Sequence, residues 1–215
     1  MTWNVRSLRD DAAGVARVIR SVGPDVVLVQ EAPRLWRWRS GCARLARESG
    51  LVVVTGGRPA AGNLVLCAMR VRVVSSYDLL LPERPRLHRR GAATAVLELE
   101  GREVSVLGTH LDLEEGARVE SARQLRRSSY DVIGGDVNEE LGGPAWRALS
   151  AGMVDVAAGL GPTFSVASPR RRIDGLFVSP RWTATSCEVV ECGPVSDHKP
   201  IVADLEETGQ AQADV

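Results

Sequence analysis

The feature that most constrains this chain is a Gly-Gly-Asp-Val-Asn segment at residues 134–138, which follows a short apolar strand at 130–133. Side chains alternate along an extended chain, so Asp136 and Asn138, two residues apart, point in roughly the same direction. The two glycines allow backbone or ligand to approach closely. One interpretation is a strand-to-loop turn in which the acid and the amide cap backbone N–H groups. The other is a polar site at a strand end, and the segment alone does not decide between them.

Length and composition predict one ordinary globular domain. The chain has 215 residues, of which 44% are apolar and 25% charged, and it is long enough to bury a full core. Its 27 basic and 27 acidic residues give no net charge, so no global field draws it to nucleic acid or anionic membrane. A local basic groove is compatible with zero net charge.

No apolar run reaches membrane-spanning length and no secretory leader is visible. We therefore expect a soluble, cytoplasmic protein with no membrane span.

The four cysteines, Cys42, Cys67, Cys187 and Cys192, are scattered, and no two form a CxxC pair. A four-cysteine zinc site or a disulfide framework is therefore not expected. Buried, reduced thiols are the prediction.

Helix and strand patterns alternate from the start of the chain. Residues 1–5 indicate a strand, Asp10 and Asp11 can cap a helix that ends at Gly23, and a buried strand at 26–29 leads into Gln30 and Glu31. This strand–helix–strand unit carries polar residues at its strand ends, where open α/β sheets usually bind ligands.

The rest of the chain shows no internal repeat and no linker-like break, so one α+β domain with two sheets at residues 1–206 is predicted. The polar segment 207–215 is expected to be a disordered tail, and 79–91 an exposed loop. Further helices are predicted at about 33–49, 114–127 and 144–150, and further strands at about 51–55, 63–69, 71–78, 92–99, 103–109, 173–178, 183–190 and 201–205.

Short polar clusters stand at six of the predicted strand ends. Each cluster alone has a structural explanation, as a turn cap, a helix start or a hydrogen-bonded histidine. Together they supply the acids, amides and imidazoles of a hydrolytic site. The clusters are Asn4, Gln30-Glu31, Thr109-His110, Asp136 with Asn138, Arg172-Ile173-Asp174 and Ser196-Asp197-His198.

These groups suit the cleavage of a phosphate ester. Cleavage needs a hard cation on the phosphoryl oxygens, an activated water and donors for the developing negative charge. Magnesium prefers oxygen ligands and keeps several waters, so a carboxylate and an amide suffice. Histidine suits proton transfer near neutral pH. Of the three histidines, His110 and His198 lie in the clusters, and His88 lies in the predicted loop.

In their order and rough spacing, these motifs resemble those of the endonuclease/exonuclease/phosphatase superfamily, which has the DNase I-like fold. The resemblance implies a four-layer α+β sandwich, in which two mixed β-sheets pack face to face with helices on the outer faces. It covers nearly the whole chain. The matching motifs are TWNV (2–5), QE (30–31), GN (62–63), THL (109–111), GGDVN (134–138), TF (163–164), RID (172–174) and SDHKP (196–200).

The resemblance also implies ligands for a Mg²⁺ or Mn²⁺ cofactor. Glu31 would be the principal metal ligand, Asn4 would help to hold the metal or the phosphate, and Asp197 would lie in the metal network. Asn63 is a weaker candidate, for support of the site. Arg6 stands where some members carry a second polar or acidic group, which argues against a second metal contact there.

Carried over in the same way, the catalytic roles fall on five residues. Asp136 would position or deprotonate the attacking water, while Asn138 would orient it and donate to the phosphate. Asp174 would orient His198, which would contact the phosphate or transfer a proton. His110 would donate near the leaving oxygen. Which group is the general base stays open.

The activity implied by the resemblance is metal-dependent hydrolysis of a phosphodiester or phosphomonoester by water. Nucleases are frequent in the superfamily that the chain resembles, which favours a nuclease. Zero net charge and short connections favour a small-molecule or lipid-headgroup phosphodiesterase or phosphatase, and a non-catalytic binding module on the same scaffold is a further alternative. The expected partner is a phosphodiester substrate such as nucleic acid, with no obligate protein partner.

Three arginine-rich segments are open to a structural and a functional interpretation. Residues 34–39 interleave arginines with Trp36 and Trp38; on a helix these two rings would lie on opposite sides, so we expect one packed tryptophan and solvated arginines. The arginines at 170–172 suit either a phosphate clamp or a solvated loop. His88-Arg89-Arg90 suits either the lining of the same phosphate-binding cleft or a mobile charged loop, and the loop is the favoured interpretation.

Overall fold

The computed structural model describes residues 1–209, and residues 210–215 of the predicted tail lie outside this part. Within it, twelve strands form two six-stranded sheets and four α-helices lie outside them. The predicted domain boundary at Glu206 falls inside the last strand, which ends at Glu207.

The first sheet has the strand order β11-β12-β1-β2-β4-β3. The pair β1–β2 is parallel and the other neighbours are antiparallel. The sheet is therefore mixed, as predicted. Its strands are β1 (Thr2–Asn4), β2 (Val26–Gln30), β3 (Val52–Gly57), β4 (Asn63–Cys67), β11 (Trp182–Val189) and β12 (Ile201–Glu207).

The second sheet has the order β5-β6-β7-β8-β10-β9 and is also mixed, with β7–β8 as its parallel pair. Of the strands in this sheet, only the two-residue strand β9 is not predicted from the sequence. The strands are β5 (Arg72–Leu80), β6 (Gly91–Leu99), β7 (Arg102–His110), β8 (Val132–Asp136), β9 (Val154–Asp155) and β10 (Asp174–Val178).

The helices are α1 (Ala12–Val22), α2 (Trp38–Ser49), α3 (Glu115–Leu125) and α4 (Pro144–Leu149). The predicted cap of α1 is confirmed, because the Asp11 carboxylate accepts from Gly14 N at 2.8 Å and the helix ends at Gly23 with a φ of 66°. No helix within residues 1–209 is both long and apolar enough to cross a membrane.

Helix α2 begins at Trp38, so the predicted start at residue 33 is wrong. The Ala32 N–H donates to Gly62 O at 2.8 Å, which holds the chain beside the sheet edge after β2. Arg37 then adopts a left-handed conformation with a φ of 55° directly before the helix. Residues 33–37 are consequently a loop, because this tertiary contact outweighs their local helical pattern.

Successive side chains in the strands of the second sheet point to opposite faces, so each face packs against a different layer. Val132 in β8 and Leu176 in β10 belong to the apolar cluster between the sheets, whereas the adjacent Ile133 and Phe177 belong to a second cluster beneath α3 and α4. Buried residues of α1 and α2, such as Ile19, pack with the first sheet. The molecule is thus a four-layer α+β sandwich with helices on its outer faces, as predicted.

Gly134 and Gly135 are required because neighbouring atoms approach their Cα positions too closely for a side chain. A Cβ on Gly134 would lie 2.8 Å from the Leu28 side chain of the facing sheet, and a Cβ on Gly135 would lie 2.1 Å from the carbonyl oxygen of Thr109 in β7. Both distances are shorter than a carbon atom tolerates. The glycines therefore allow β8 to pack against its neighbours at the point where the chain leaves the sheet.

We expect Gly135→Ala to destabilise the protein by about 1–3 kcal/mol, because the added methyl group meets backbone, which cannot rotate away. Gly134→Ala should cost less, since Leu28 can change its side-chain torsions. Gly161→Ala is the matched control, because nothing lies within 4 Å of its added Cβ. Urea unfolding of the three variants measures the differences. Equal stability of the Gly135 and Gly161 variants would contradict this account.

Candidate active site

The predicted polar strand ends meet at one edge of the sandwich. In the second sheet His110, Asp136 and Asp174 are register partners at the ends of β7, β8 and β10. In the first sheet Asn4 pairs with Gln30 at the ends of β1 and β2, one residue before Glu31. Alignment of these strand ends in two packed sheets brings the dispersed motifs together.

Asn4 joins the two sheets. Its amide nitrogen donates to Asp136 Oδ2 at 3.0 Å and to Glu31 Oε1 at 3.2 Å. Its Oδ1 accepts from the backbone N–H of Arg6 at 3.0 Å. In the arrangement observed, Asn4 holds two carboxylates at a fixed separation.

Asp136 is the centre of the cluster and is only 2% exposed. Its Oδ1 accepts from the Asn138 N–H at 2.9 Å. Its Oδ2, besides accepting from Asn4, lies 3.3 Å from His110 Nε2 and 3.6 Å from His198 Nε2. One carboxylate therefore contacts four of the groups that the sequence nominated.

Asp174 and His198 form a buried pair across the two sheets. His198 Nδ1 lies 2.9 Å from Asp174 Oδ2, which also accepts from the Thr163 hydroxyl, and the Phe164 ring packs on the imidazole at 4.7 Å between centroids. Burial disfavours the charged imidazole, but the carboxylate and its hydrogen bond outweigh burial and raise the pKa of His198 to about 10. His198 is thus an imidazolium at neutral pH.

His110 has the opposite protonation state. Burial is the main reason that the pKa of His110 is lowered to about 3, and the positive charges of Arg90 and His198 add to it. Its Nε2 lies 2.9 Å from the Asn138 amide nitrogen, which also donates to Leu111 O at 3.0 Å. The two site histidines therefore differ, one neutral and one cationic, which suits them to different roles.

Two of the site residues occupy backbone conformations that L-amino acids seldom adopt. Glu31 has a φ of 50° and Asn138 a φ of 54°. Asparagine tolerates this left-handed region, whereas it is unfavourable for glutamate. The turn points the Glu31 carboxylate, 37% exposed, into the cleft instead of along the strand. Strain of this kind is typical of functional positions.

Asp197 carries an unpartnered oxygen. Its Oδ2 lies 3.3 Å from Arg6 Nε, whereas its Oδ1 is buried and has no hydrogen-bond partner among residues 1–209. A buried carboxylate oxygen without a donor is costly unless a cation or water satisfies it. Together with the accessible Glu31 carboxylate in the same cleft, this oxygen fits a hard, oxygen-preferring dication.

A second group of possible ligands is less suitable. Atoms of Asp136, Asp174 and His198 lie within 4.8 Å of one another. However, Asp174 is already hydrogen-bonded to His198, whose raised pKa keeps it protonated, and a protonated imidazole nitrogen cannot bind a metal. Glu31 and Asp197 are the better candidates for a metal ligand pair.

The cluster forms the floor of a cleft with a volume of about 710 Å³. Six of the eight nominated residues line it directly. Asn4 and Asp174 lie behind this surface and position the others. The lining residues are Glu31, His110, Asp136, Asn138, Asp197 and His198.

Arg90 lines the cleft, which is the less favoured of the two interpretations of the segment His88-Arg89-Arg90. Its side chain is 13% exposed, its Nε lies 3.4 Å from Asp112 Oδ2, and its carbonyl accepts from the Leu81 N–H. The prediction of a mobile charged loop is therefore wrong at this position. Burial lowers the pKa of Arg90, opposed by the nearby Asp112 and Asp136 carboxylates. The signal available in sequence was its place directly before β6.

In the arginine segment at 170–172, one residue stabilises the fold and another lines the cleft. Arg172 pairs with half-buried Asp155 at 2.7 Å and stacks on Trp146, so it stabilises the fold. Arg171 lines the cleft and is half exposed. Asn63, nominated for support, donates to Ala60 O and Gly91 O and so anchors the chain next to Arg90.

A two-sheet sandwich of this topology, with acids, amides and two unlike histidines at one edge, defines a phosphoesterase of the DNase I-like fold. The family model described as the Endonuclease/Exonuclease/phosphatase family matches residues 1–198. The chain therefore belongs to this family. No curated protein matches it in sequence.

Solved structures share the whole fold at low sequence identity. A mannosyl-6-phosphatase of Bacteroides thetaiotaomicron VPI-5482 has a TM-score of 0.80 at 18% identity, covering 95% of this chain and 98% of the other. D. rerio TDP2 complexed with single strand DNA product has a TM-score of 0.75 at 20% identity, over 95% and 97%. The human Nocturnin catalytic domain with bound sulfate has 0.72 at 15%, over 96% and 92%. At these identities the likeness concerns the fold.

Proposed function

We propose that this protein is a divalent-metal-dependent phosphodiesterase that cleaves nucleic acid. The observation that carries the proposal is the Asp136 carboxylate on the cleft floor, in contact with Asn4, Asn138 and both histidines. Hydrolysis of a phosphate ester needs a group that orients water beside fixed positive charge, and this cluster supplies both.

Asp136 is proposed to orient the attacking water and to accept its proton. The imidazolium of His198 would face the phosphoryl group as a fixed positive charge, because its pair with Asp174 keeps it protonated across the neutral range. Neutral His110 and the Asn138 amide would supply further hydrogen-bonding groups to the phosphate. Such preorganised charge is the main source of stabilisation for phosphoryl transfer.

Glu31 and Asp197 are proposed to hold Mg²⁺ or Mn²⁺. A bound dication supplies the positive charge that polarises the phosphoryl oxygen and stabilises the leaving oxygen. Arg90, on the same cleft, would bind a non-bridging oxygen or a neighbouring phosphate. Cytoplasmic location and the lack of an obligate protein partner stay predictions.

A second candidate function is hydrolysis of a small phosphomonoester or phosphodiester. It is favoured by the zero net charge and by the short connections between strands, which leave little surface for gripping a duplex. The similarity in fold to a mannosyl-6-phosphatase also supports this candidate.

Removal of metal should abolish turnover. We expect single-stranded and supercoiled DNA to be cleaved with Mg²⁺ or Mn²⁺, activity to disappear with EDTA, and excess Mg²⁺ to restore it. A panel with a hexose phosphate and a glycerophosphodiester separates the two candidate functions. Turnover of the hexose phosphate alone would favour a phosphatase. No turnover, together with no calorimetric binding of Mg²⁺ at millimolar concentration, would instead indicate a binding module.

Arg90→Gln should lower kcat/KM by about tenfold to a hundredfold, since a charge-assisted hydrogen bond is typically worth about 1.5–3 kcal/mol. The matched control is Arg89→Gln, which removes the same charge from the exposed neighbouring position. Initial rates at several ionic strengths measure both effects. Equal losses in the two variants would show that Arg90 acts only through general electrostatic attraction.

A further inference from the structure

Trp36 is an exposed indole at the rim of the catalytic cleft. Its side chain is 91% exposed and that of the preceding Leu35 is 77% exposed. Adjacent large apolar side chains without cover are unusual on a monomer and typically mark a binding surface. Both residues line the cleft that contains Glu31, Asp136 and His198. The exposed ring is therefore continuous with the catalytic site.

The neighbouring Trp38, in contrast, packs against the core and has a structural role. Trp38 is partly buried in the core beside Gly57, and the Arg39 guanidinium stacks on its ring at 4.4 Å. The prediction that one tryptophan packs is thus met by Trp38. Trp36 lies outside the helix. Within residues 1–209 its ring has no stacking partner, and the Arg37 guanidinium lies 6.0 Å from its centroid.

The loop that carries Trp36 is held at both ends. Ala32 N donates to Gly62 O at 2.8 Å, Trp38 N donates to Leu35 O at 3.2 Å, and Gly41 N donates to Arg37 O at 3.1 Å. These bonds fix the backbone on either side of the ring. An exposed ring on an anchored loop loses little conformational entropy when a ligand binds.

The charges around the ring indicate an anionic ligand. Arg34 lies on the same stretch of cleft wall as Trp36, and Arg171, in the segment before β10, also lines the cleft. Leu113, 72% exposed, also lies on the cleft lining. Arginines interleaved with a free aromatic face are the features that bind single-stranded nucleic acid, where bases stack and phosphates meet positive charge.

We propose that Trp36 is a stacking platform for a nucleobase beside the scissile phosphate, so that the cleft selects single-stranded, base-bearing esters over base-free ones. The inference rests on the proposed phosphodiesterase function and adds its substrate class. A lipid bilayer is the competing ligand for an exposed tryptophan, but the lack of net positive charge and the place of Trp36 within the cleft wall favour the base.

The test compares a thymidine pentanucleotide with an abasic oligomer of the same sugar-phosphate backbone, which has the same charge. The wild type should prefer the base-bearing oligomer by about tenfold in kcat/KM, the lower part of the range expected for one stacked base. Trp36→Ala should remove this preference, mainly through a higher KM, and leave turnover of the abasic oligomer unchanged. Trp36→Phe should retain most of it. Met69→Ala, 79% exposed and outside the cleft lining, is the control and should behave as wild type.

Equal rates of the wild type on both oligomers would overturn the stacking role, as would an equal loss on both oligomers in Trp36→Ala. Trp36-dependent binding to phosphatidylcholine vesicles containing phosphatidylserine, with an unchanged oligomer preference, would assign the ring to a membrane instead. Cleavage of neither oligomer by the wild type, with hydrolysis of a hexose phosphate, would show that the nuclease function itself had failed.

Discussion

Asp136→Asn should reduce kcat by about a hundredfold to ten-thousandfold, the range usual for loss of a group that transfers a proton in catalysis. The substitution keeps the side-chain shape but removes the charge and the second acceptor. In the wild type, Asp136 accepts from Asn4 Nδ2 at 3.0 Å and from the Asn138 N–H at 2.9 Å. In the variant, the new NH₂ group would face one of these two donors, so that two donors would meet without an acceptor. Initial rates with saturating metal and substrate measure the loss.

The mismatch should also cost stability, by about 1–3 kcal/mol for an unsatisfied buried donor. A matched control separates stability from chemistry. Asp131 lies just before the opposite end of β8, where its carboxylate accepts from Ser105 N and Oγ at 2.8 Å. Asp131→Asn should be destabilised yet active below its melting temperature. If the purified, folded Asp136 variant retained full turnover, the assignment of this carboxylate to the reaction would be wrong.

Asp174→Asn should lower the pKa of His198 from about 10 towards its ordinary value of about 6.5. Burial lowers this pKa, and the Asp174 carboxylate, through its charge and its hydrogen bond, is the strongest of the groups that oppose burial; Asp136 and Asp197 add to it. The imidazolium would be lost at neutral pH, and turnover with it. NMR titration of the imidazole protons measures the shift, and with only three histidines in the chain the signals can be assigned from single substitutions.

The pH profile distinguishes a positioning role from a merely structural one. In the wild type, His198 should stay charged until pH rises through about 10, whereas the Asp174 variant should regain activity as pH falls and its imidazole is protonated. Because the folded pKa is raised, the Asp174–His198 pair stabilises the fold fully below about pH 6.5 and loses this contribution as pH rises through about 10. A wild-type His198 that titrates near 6.5 would contradict both expectations.

The fold could be predicted, and candidate site residues could be named, because most of these residues stand at or next to the end of a strand. Strand periodicity placed His110, Asp136 and Asp174 at three such ends, and the resemblance to the family implied two mixed sheets packed face to face. Their register then follows, since parallel and antiparallel neighbours share one sheet edge. Spacing alone could not give the distances, nor the opposite protonation states of the two histidines.

The residues that sequence reasoning misplaced depend on long-range contacts. Arg90 is buried because Asp112, from the loop after β7, lies against it. Arg172 is structural because Asp155, in the short strand β9, pairs with it. Trp36 leaves the predicted helix because Ala32 bonds to Gly62. A local pattern of charge and hydrophobicity contains none of this information.

The amide of Asn4 has a wider consequence, because its bond to Asp136 and the bond between His198 and Asp174 both cross from one sheet to the other. Each sheet carries only part of the catalytic apparatus, and the apolar layer between them sets the relative position of the two parts. A sub-ångström slide of that layer would misalign the charges without exposing any residue. Substitutions at interior positions such as Leu28 and Val65 could therefore tune the rate of this protein while every polar residue stayed in place.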